Sequence, residues 1–242
     1  MATKDEHTSA APPLLSRVLR AGVLDEVTIE VGTGTEKTKY RPHKSFLIHY
    51  SEYFRKALSG SWKEAEDGVI TLEDVEPAVF NMFVDWLYTQ KLPAGIEAWY
   101  QSSDTPEDVD DMVGMEVLRI KLYVFADRFI VPILRTTLNR LIVADTTCRL
   151  APFPDVTSYA FENLPTEDPI LAFFVDTNAL FCDTYGMEEA EHDLAKHPRL
   201  FLVRTIRKMT TMRSFDPPAC NQCDYHEHQT EDEKEACAKQ RK

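Results

Sequence analysis

Cysteine and histidine side chains are concentrated near the C-terminus, in the acidic segment 217–242. The candidate metal ligands of this tail are Cys220, Cys223, His226, His228 and Cys237. Thiolate and imidazole are the usual ligands of tetrahedral zinc, and the C-x2-C spacing lets two sulfurs reach one ion. The preferred ligand set is Cys223, His226, His228 and Cys237, with Cys220 as substitute for one histidine. The pattern predicts a structural zinc that would fold this polar segment, the alternative being a disordered acidic tail with coincidental thiols.

A second candidate site is the polar loop SGSWKEAEDG, which carries Trp62 and Glu64. Tryptophan is a frequent hot spot of protein interfaces, so an exposed Trp62 would anchor a partner protein. The alternative is that Trp62 packs on its own domain while Glu64 is solvated. The loop therefore indicates binding of a protein rather than catalysis.

Motifs of enzyme chemistry are incomplete in this chain. Gly32-x-Gly34 lacks the third glycine and the following helix of a dinucleotide-binding loop, so it indicates a turn between strands. His192 and His197 are five residues apart, whereas a helical zincin pair is separated by four. The G-x-S-x-G nucleophile elbow is missing as well. We therefore predict that the protein is not an enzyme and requires no cofactor, apart from the zinc considered above.

The net charge of the chain bears on the class of molecule that it can bind. The formal net charge is −13, and such a chain repels phosphate backbones, which disfavours nucleic acid. The basic side chains of 199–213 interrupt this acidity: Arg199, Arg204, Arg207, Lys208 and Arg213. We interpret them as the solvated face of a helix whose apolar residues are Leu202, Val203, Ile206 and Met209. Contact of this basic face with nucleic acid or an acidic partner is the alternative.

The sequence also bears on the compartment. Its apolar runs are shorter than the roughly 18–20 residues that cross a bilayer, and the N-terminus MATKDEHTSAAPP lacks the apolar core of a secretory signal. Five cysteines, an odd number, favour a reducing compartment over a disulfide framework. We therefore expect an intracellular protein, in the cytoplasm or the nucleus, without membrane contact.

Short strands and helices alternate in the first part of the chain. Alternating apolar residues predict a strand in VTIEV, the chain is expected to return after a turn as a second strand in KYRPH, and a third strand is expected in VITL. Helical spacing predicts two short helices in KSFLIHYSEYFRKAL, with Ser51 as a cap of the second. Pro77 opens an amphipathic helix that reaches Gln90. Asp25, before the first strand, and His43, after the second, are interpreted as a polar pair that stabilises the fold.

The rest of the chain is predicted to be largely helical. Residues 93–114 are rich in proline, glycine and acidic side chains, which predicts a partly disordered loop insertion. Helical spacing resumes after this loop and again from Pro132. In the less regular region 146–216, further helices should begin at Pro169 and at Pro198.

Several of these segments, in this order, resemble the BTB/POZ family. The opening LLSRVL helix leads to the aspartate before VTIEV, and then come HKSFL, SEYFRKAL and ITLEDVEPAVFNMFVDWLYT. The residue types of these segments and the spacing between them are similar to those of the fungal type with a single BTB domain. The resemblance covers residues 14–92 and, more loosely, the helices at 115–145, while the acidic insertion departs from the compact family pattern.

The resemblance implies an α/β (α+β) fold, in which a small mixed sheet is flanked by helices and followed by a helical extension. The implied organisation is a disordered leader at 1–11, a BTB/POZ domain at 14–145 with the acidic loop insertion at 93–114, a helical C-terminal region at 146–216 and the Cys/His-rich tail at 217–242. In this organisation the two candidate sites lie on separate parts of the molecule.

The resemblance also implies that the chain binds proteins and does not catalyse a reaction. In similar BTB proteins the first helix packs on a partner subunit, so Leu14, Leu15, Val18 and Leu19 would form the interface of a homodimer. A hydrophobic residue, any residue and then glutamate contacts a cullin in BTB adaptors, and Trp62 and Glu64 fall at the matching place. Alternative functions are a substrate adaptor of a cullin-based ubiquitin ligase and a transcriptional or chromatin scaffold with a zinc-stabilised tail.

Overall fold

The computed structural model describes residues 12–21, 25–34, 37–59, 68–103, 111–146, 152–181, 194–212, 225, 227–228 and 230–239. The strands within these ranges are β1 (Thr28–Val31), β2 (Thr38–Tyr40) and β3 (Val69–Leu72). The helices of the first half are α1 (Leu15–Ala21), α2 (Lys44–Tyr50), α3 (Glu52–Ser59), α4 (Pro77–Thr89), α5 (Ile96–Ser103) and α6 (Asp111–Arg128). Those of the second half are α7 (Pro132–Thr146), α8 (Pro154–Asn163), α9 (Pro169–Phe181), α10 (Arg199–Met212) and α11 (Glu231–Lys239).

The three strands form one mixed sheet with β1 in the middle. β1 pairs antiparallel with β2, where Ile29 lies opposite Tyr40, and parallel with β3, where Ile29 lies opposite Ile70. Ile29 and Val31 are fully buried because the apolar residues of β1 alternate with polar ones and so share one face. The predicted small mixed sheet flanked by helices is confirmed.

Helix α4 provides much of the core around this sheet. Pro77 stands in its first turn, where the missing amide proton costs nothing, and Gln90 ends the helix in the left-handed conformation. Apolar residues lie all around the helix, and those that are buried are Val79, Phe80, Met82, Phe83, Trp86 and Leu87. At roughly 1.5–3 kcal/mol per buried side chain, their burial dominates the local stability. The helix predicted to run from Pro77 towards Gln90 is confirmed.

The segment predicted as an acidic loop insertion, 93–114, contains regular structure. Helix α5 occupies Ile96–Ser103, and α6 begins at Asp111. Trp99 of α5 is fully buried, and the Arg119 guanidinium lies 5.1 Å from the centre of its ring. Burial of this tryptophan outweighs the polar composition of the segment, so the loop assignment is wrong for 96–103; residues 104–110 lie outside the described residues.

The helical extension packs on α6. Helix α8 lies against α6, and α9 packs against both α7 and α10. Helix α9 begins at the predicted Pro169, and the amide of Ile170 donates to the carboxylate of Asp168 at 2.9 Å. Helix α8 begins at Pro154, where no helix was predicted, although proline in a first turn is the same signal as at Pro169. None of the described helices is long and apolar enough to cross a bilayer.

Helix α10 buries a different face from the predicted one. Phe201 and Thr205 are buried, whereas Val203, Ile206 and Met209 are exposed, Ile206 to 61%. The cause is the packing of Phe201, whose ring stacks on His197 and meets Phe161 edge-on. Since apolar residues occupy most sides of this helix, the spacing alone did not identify the side that packs. The predicted apolar face is wrong at Val203, Ile206 and Met209, whereas Leu202 is partly buried against the core.

Asp25 and His43 do not form the predicted pair. The hydroxyl of Ser45 donates to the Asp25 carboxylate at 2.6 Å, and the His43 ring nitrogen Nδ1 lies 2.7 Å from the hydroxyl of Tyr88. Both contacts fasten the start of α2, one to the beginning of β1 and the other to the end of α4. Each residue therefore stabilises the fold, but through a separate partner.

Candidate protein-interaction surfaces

The predicted dimer surface on α1 is partly exposed and partly core. Leu14 and Leu15 are 59% and 46% exposed, whereas Val18 is 6% exposed and belongs to the main apolar core. Leu19 lies in α1, but its side chain is outside the described residues. Val18 therefore anchors the helix to its own domain, and this attachment presents Leu14 and Leu15 to solvent.

The predicted cullin-contacting residues, Trp62 and Glu64, lie outside the described residues. The structure describes the two ends of their loop, which are Ser59 at the end of α3 and Gly68 before β3. Leu58 at the loop's entrance is buried. The predicted role of Trp62 and Glu64 therefore remains a prediction.

The predicted zinc ligands are described only in part. Cys220, Cys223 and His226 lie outside the described residues, while His228 and Cys237 are half-buried. Within the part of the chain that the structure describes, no group of three or more His, Cys, Asp or Glu side chains is arranged to hold a metal ion. The structural zinc remains a prediction, and metal analysis of the purified chain, compared with Cys223→Ser, tests it.

A cleft of about 570 Å³ lies between α4, α6 and α8. Its floor contains Val79 and Phe125, and its rim carries two ion pairs, Lys121 with Glu76 and Arg128 with Asp74, each at 2.6 Å. The lining residues are far apart in sequence, so only the fold brings them together. The cleft therefore combines an apolar floor with a rim of paired charges.

Two side chains of this cleft, Tyr159 and Asp74, have pKa values shifted away from neutral pH. Burial, followed by the charge of Glu76, raises the pKa of Tyr159 above its ordinary value. The guanidinium of Arg128 lowers the pKa of Asp74, so this carboxylate stays ionised and paired. A general base works best with a pKa near the operating pH, and neither group is shifted towards it.

The described part of the tail packs against α7 and α9. Tyr225 is buried, and its ring meets Phe173 of α9 edge-on with 5.2 Å between the ring centres. The side chain of Asn139 donates to the carbonyl of Tyr225 at 3.1 Å and accepts from the amide of Glu227 at 2.9 Å. The sequence predicted a tail folded by zinc, with a disordered tail as the alternative, and neither prediction included these contacts.

Glu227 enters a charged site between α6 and α7. Its Oε1 lies 2.7 Å from the hydroxyl of Tyr123 and 2.6 Å from Arg135. Arg135 also contacts Asp168 at 2.9 Å and Asp127 at 2.8 Å. Burial, and then the charge of Asp168, raises the pKa of Tyr123 far above its ordinary value, so its hydroxyl stays a hydrogen-bond donor.

Arg135 also keeps its charge in this site. Burial lowers the pKa of Arg135, but its contacts with Tyr123, Asp168 and Glu227 outweigh burial and hold that pKa above its ordinary value. The guanidinium stacks over the Tyr123 ring at 4.6 Å. The site therefore combines a fixed cation with a fixed hydroxyl donor, which suits binding of a carboxylate.

A mixed three-stranded sheet flanked by short helices, with exposed apolar residues on the first helix, is an architecture of interaction domains. Residues 15–107 match the family model of the BTB/POZ domain, so the chain contains a BTB/POZ domain. This domain is a protein–protein interaction module without catalytic function of its own. The match ends before α6, and the predicted domain end at residue 145 remains a prediction.

The curated relatives are similar over this region. Mouse Kelch repeat and BTB domain-containing protein 4 is 31% identical over 90 residues, which is 36% of this chain and 17% of the relative. Kelch-like ECH-associated protein 1A of Danio rerio is 26% identical over 93 residues, 38% of this chain and 16% of the relative. Human Kelch repeat and BTB domain-containing protein 6 is 30% identical over 105 residues, 40% of this chain and 16% of the relative. The chain thus spans about a sixth of the length of these relatives.

Proposed function

We propose that this protein is a non-catalytic interaction scaffold that forms a homodimer through α1. The observation that carries the proposal is the exposure of Leu14 and Leu15 on a helix that Val18 attaches to the core. A helix fixed in this way holds its apolar side chains in place for a partner, so little conformational entropy is lost when the partner binds.

The free energy of burial sets a condition on this dimer. Burying the exposed half of one leucine contributes roughly 1 kcal/mol. Four such side chains in a twofold interface contribute roughly 4 kcal/mol, which is at the lower limit of the estimated loss of translational and rotational freedom. The interface must therefore extend beyond Leu14 and Leu15 to further surface of the same domain.

Light scattering coupled to gel filtration tests the dimer. We expect the wild-type chain to have twice the monomer mass, and Leu15→Glu to have the monomer mass, because the interface would bury an unpaired charge. Ile133→Glu is the matched control, since Ile133 on α7 is exposed to a similar extent. A wild-type monomer, or an unchanged mass for Leu15→Glu, would contradict the proposal.

The second candidate function is a substrate adaptor of a cullin-based ubiquitin ligase. It is supported by the position of Trp62 and Glu64 in the loop between α3 and β3, and by the cleft between α4, α6 and α8. In this function the BTB domain binds the cullin and the helical extension holds the target. The cleft offers the cullin further surface next to the helical extension.

A pull-down with a cullin N-terminal domain separates the two functions. We expect capture by the wild-type chain and loss of capture by Trp62→Ala with Glu64→Ala. Lys63→Ala, in the same loop, is the matched control and should leave capture unchanged. Absence of capture by the wild-type chain would leave the scaffold function and reject the adaptor.

A further inference from the structure

We propose that α6, α7 and α9 together carry a peptide-binding site for a segment in which tyrosine and glutamate are two positions apart, and that the chain's own Tyr225 and Glu227 occupy it. The external partner would be another protein that presents such an unphosphorylated, acidic, tyrosine-containing segment. The site is formed by α6, α7 and α9, so the proposal does not depend on dimerisation through α1.

The first element of the site receives the tyrosine. The Tyr225 ring lies against Phe173, and its hydroxyl donates to the carboxylate of Asp176. Lys208 of α10 holds the same carboxylate at 2.7 Å. An aromatic wall with an acceptor at its end recognises a phenol hydroxyl. A phosphorylated tyrosine would place two negative charges against Asp176 and should be rejected.

The second element of the site binds the backbone between Tyr225 and Glu227. Asn139 is fully buried, and its amide group bonds both to the Tyr225 carbonyl and to the Glu227 amide. These bonds involve only backbone atoms of the tail, so they require no particular side chain between the two anchors. A buried amide that bonds in this way favours one register of a peptide and tolerates different residues between the anchors.

The third element of the site binds the glutamate through Arg135, whose charge has other partners besides Glu227. Arg135 binds Glu227, but it also contacts Asp168 and Asp127. The guanidinium therefore keeps carboxylate partners when Glu227 leaves, and no buried charge becomes unpaired. The receiving surface is for this reason expected to survive the departure of the tail, which an exchangeable ligand requires.

Covalent attachment gives the tail an advantage over a free peptide. Residues 213–224 join α10 to Tyr225 in the sequence, so the tail is an intramolecular ligand, and covalent attachment through a short linker gives an effective concentration on the order of millimolar. A peptide at micromolar concentration competes poorly against it. Weakening the tail's own anchors should therefore increase the apparent affinity for a free peptide by about tenfold or more.

Fluorescence anisotropy with a labelled peptide of residues 224–236 tests the site, in the presence of a chelator. This peptide contains Tyr225 and Glu227 and lacks cysteine. The receptors are the wild-type chain, the chain with Tyr225→Ala and Glu227→Ala, and this double variant with Asn139→Ala added. We expect the double variant to bind at least about tenfold more tightly than wild type, and the added Asn139→Ala to abolish binding.

Control peptides establish the chemistry of recognition. Peptides with Tyr225→Phe, with Glu227→Gln or with phosphotyrosine should bind less tightly, whereas Asp232→Asn should bind like the parent because Asp232 is exposed. A folded double variant that fails to bind the parent peptide would overturn the proposal. Equal binding of all peptides, or binding that Asn139→Ala leaves unchanged, would also overturn it.

A second experiment covers the case in which the double variant does not fold. A protease site placed within 213–224 of the otherwise wild-type chain allows the tail to be cut after folding. We expect the cut tail to co-elute with the rest of the chain in gel filtration and to be displaced by excess parent peptide. Release of the tail on cutting, or retention despite excess peptide, would reject an exchangeable site.

Discussion

At the scale of single residues, Ser51 joins two parts of the molecule. Its hydroxyl accepts from the amide of Phe54 at 3.1 Å, as an N-cap of α3, and donates to the carbonyl of Phe129 at 2.6 Å. Ser51→Ala would remove the cap and leave a buried carbonyl without this donor. We expect a loss of about 2 kcal/mol in the free energy of unfolding, measured with urea.

Ser59→Ala is the control for this change, because Ser59 is an exposed serine at the other end of the same helix. Substitutions at exposed positions without special contacts change stability by less than about 0.5 kcal/mol. Equal stabilities of the two variants would show that the bonds of Ser51 contribute nothing to the net stability.

His49 should make stability depend on pH. Burial, and then the charge of Arg55, lowers the pKa of His49 below its ordinary value of 6.5. The unfolded chain therefore takes up this proton first as the pH falls below about 6.5, so the free energy of unfolding decreases until the folded-state pKa is passed. Urea unfolding between pH 7.5 and 5 should show a smaller decrease for His49→Gln than for wild type.

The range between pH 7.5 and 5 separates the contribution of His49 from that of Asp74. The pKa of Asp74 is also lowered, by Arg128, but its contribution to stability is lost only as the pH falls through the acidic range below its ordinary value of 3.8. If His49→Gln keeps the full decrease between pH 7.5 and 5, another group causes it.

At the scale of elements, the turn between α6 and α7 is closed by two backbone bonds. The amide of Val131 donates to the carbonyl of Ala126, and that of Ile130 donates to Asp127, which is the Schellman pattern. This pattern places Ile130 at φ 51°, a left-handed conformation that β-branched residues rarely adopt and glycine adopts freely. The turn is therefore strained at Ile130.

Substitution by glycine should have opposite effects on the free energy of unfolding at Ile130 and at Ile133. Ile130→Gly relieves the left-handed strain and should raise the free energy of unfolding by about 1 kcal/mol. Ile133→Gly, at a similarly exposed position inside α7, should lower it by about 1 kcal/mol because glycine is a poor helix former. Thermal and urea unfolding measure both variants, and a loss of stability for Ile130→Gly would contradict the strain.

The elements that the sequence predicted are those with local signals. Pro77 and Pro169 begin helices, Ser51 caps one, and alternating residues form β1, because each signal acts within a few residues. Helix α5 was missed because the burial of Trp99 depends on Arg119 and on other distant residues. Tertiary packing decided the outcome at this position.

The candidate sites were less predictable for the same reason. Leu14 and Leu15 were identified because an apolar stripe is visible in the sequence itself. The tail site was not, since its receiving residues come from α6, α7 and α9, and Tyr123, Asn139 and Asp176 are far apart in the sequence. The tyrosine and glutamate of the tail have no spacing that distinguishes them from any other polar segment.

At the scale of the whole molecule, net charge should govern self-association. Each copy carries a formal charge of −13, and the exposed side of α1 adds Arg17 and Arg20, which would face like charges across a twofold axis. The repulsion between the net charges and the repulsion between the arginines both oppose dimerisation, and salt screens both. The screening length decreases from about 30 Å at 10 mM salt to about 8 Å at 150 mM.

Sedimentation equilibrium at these two salt concentrations tests this expectation. We expect the dissociation constant of the dimer to fall several-fold at 150 mM salt, because screening weakens repulsion between copies while the burial of Leu14 and Leu15 is almost unaffected. Leu15→Glu should remain a monomer at both concentrations. Weaker association at 150 mM salt would instead show that opposite charges hold the copies together, and it would place the interface away from α1.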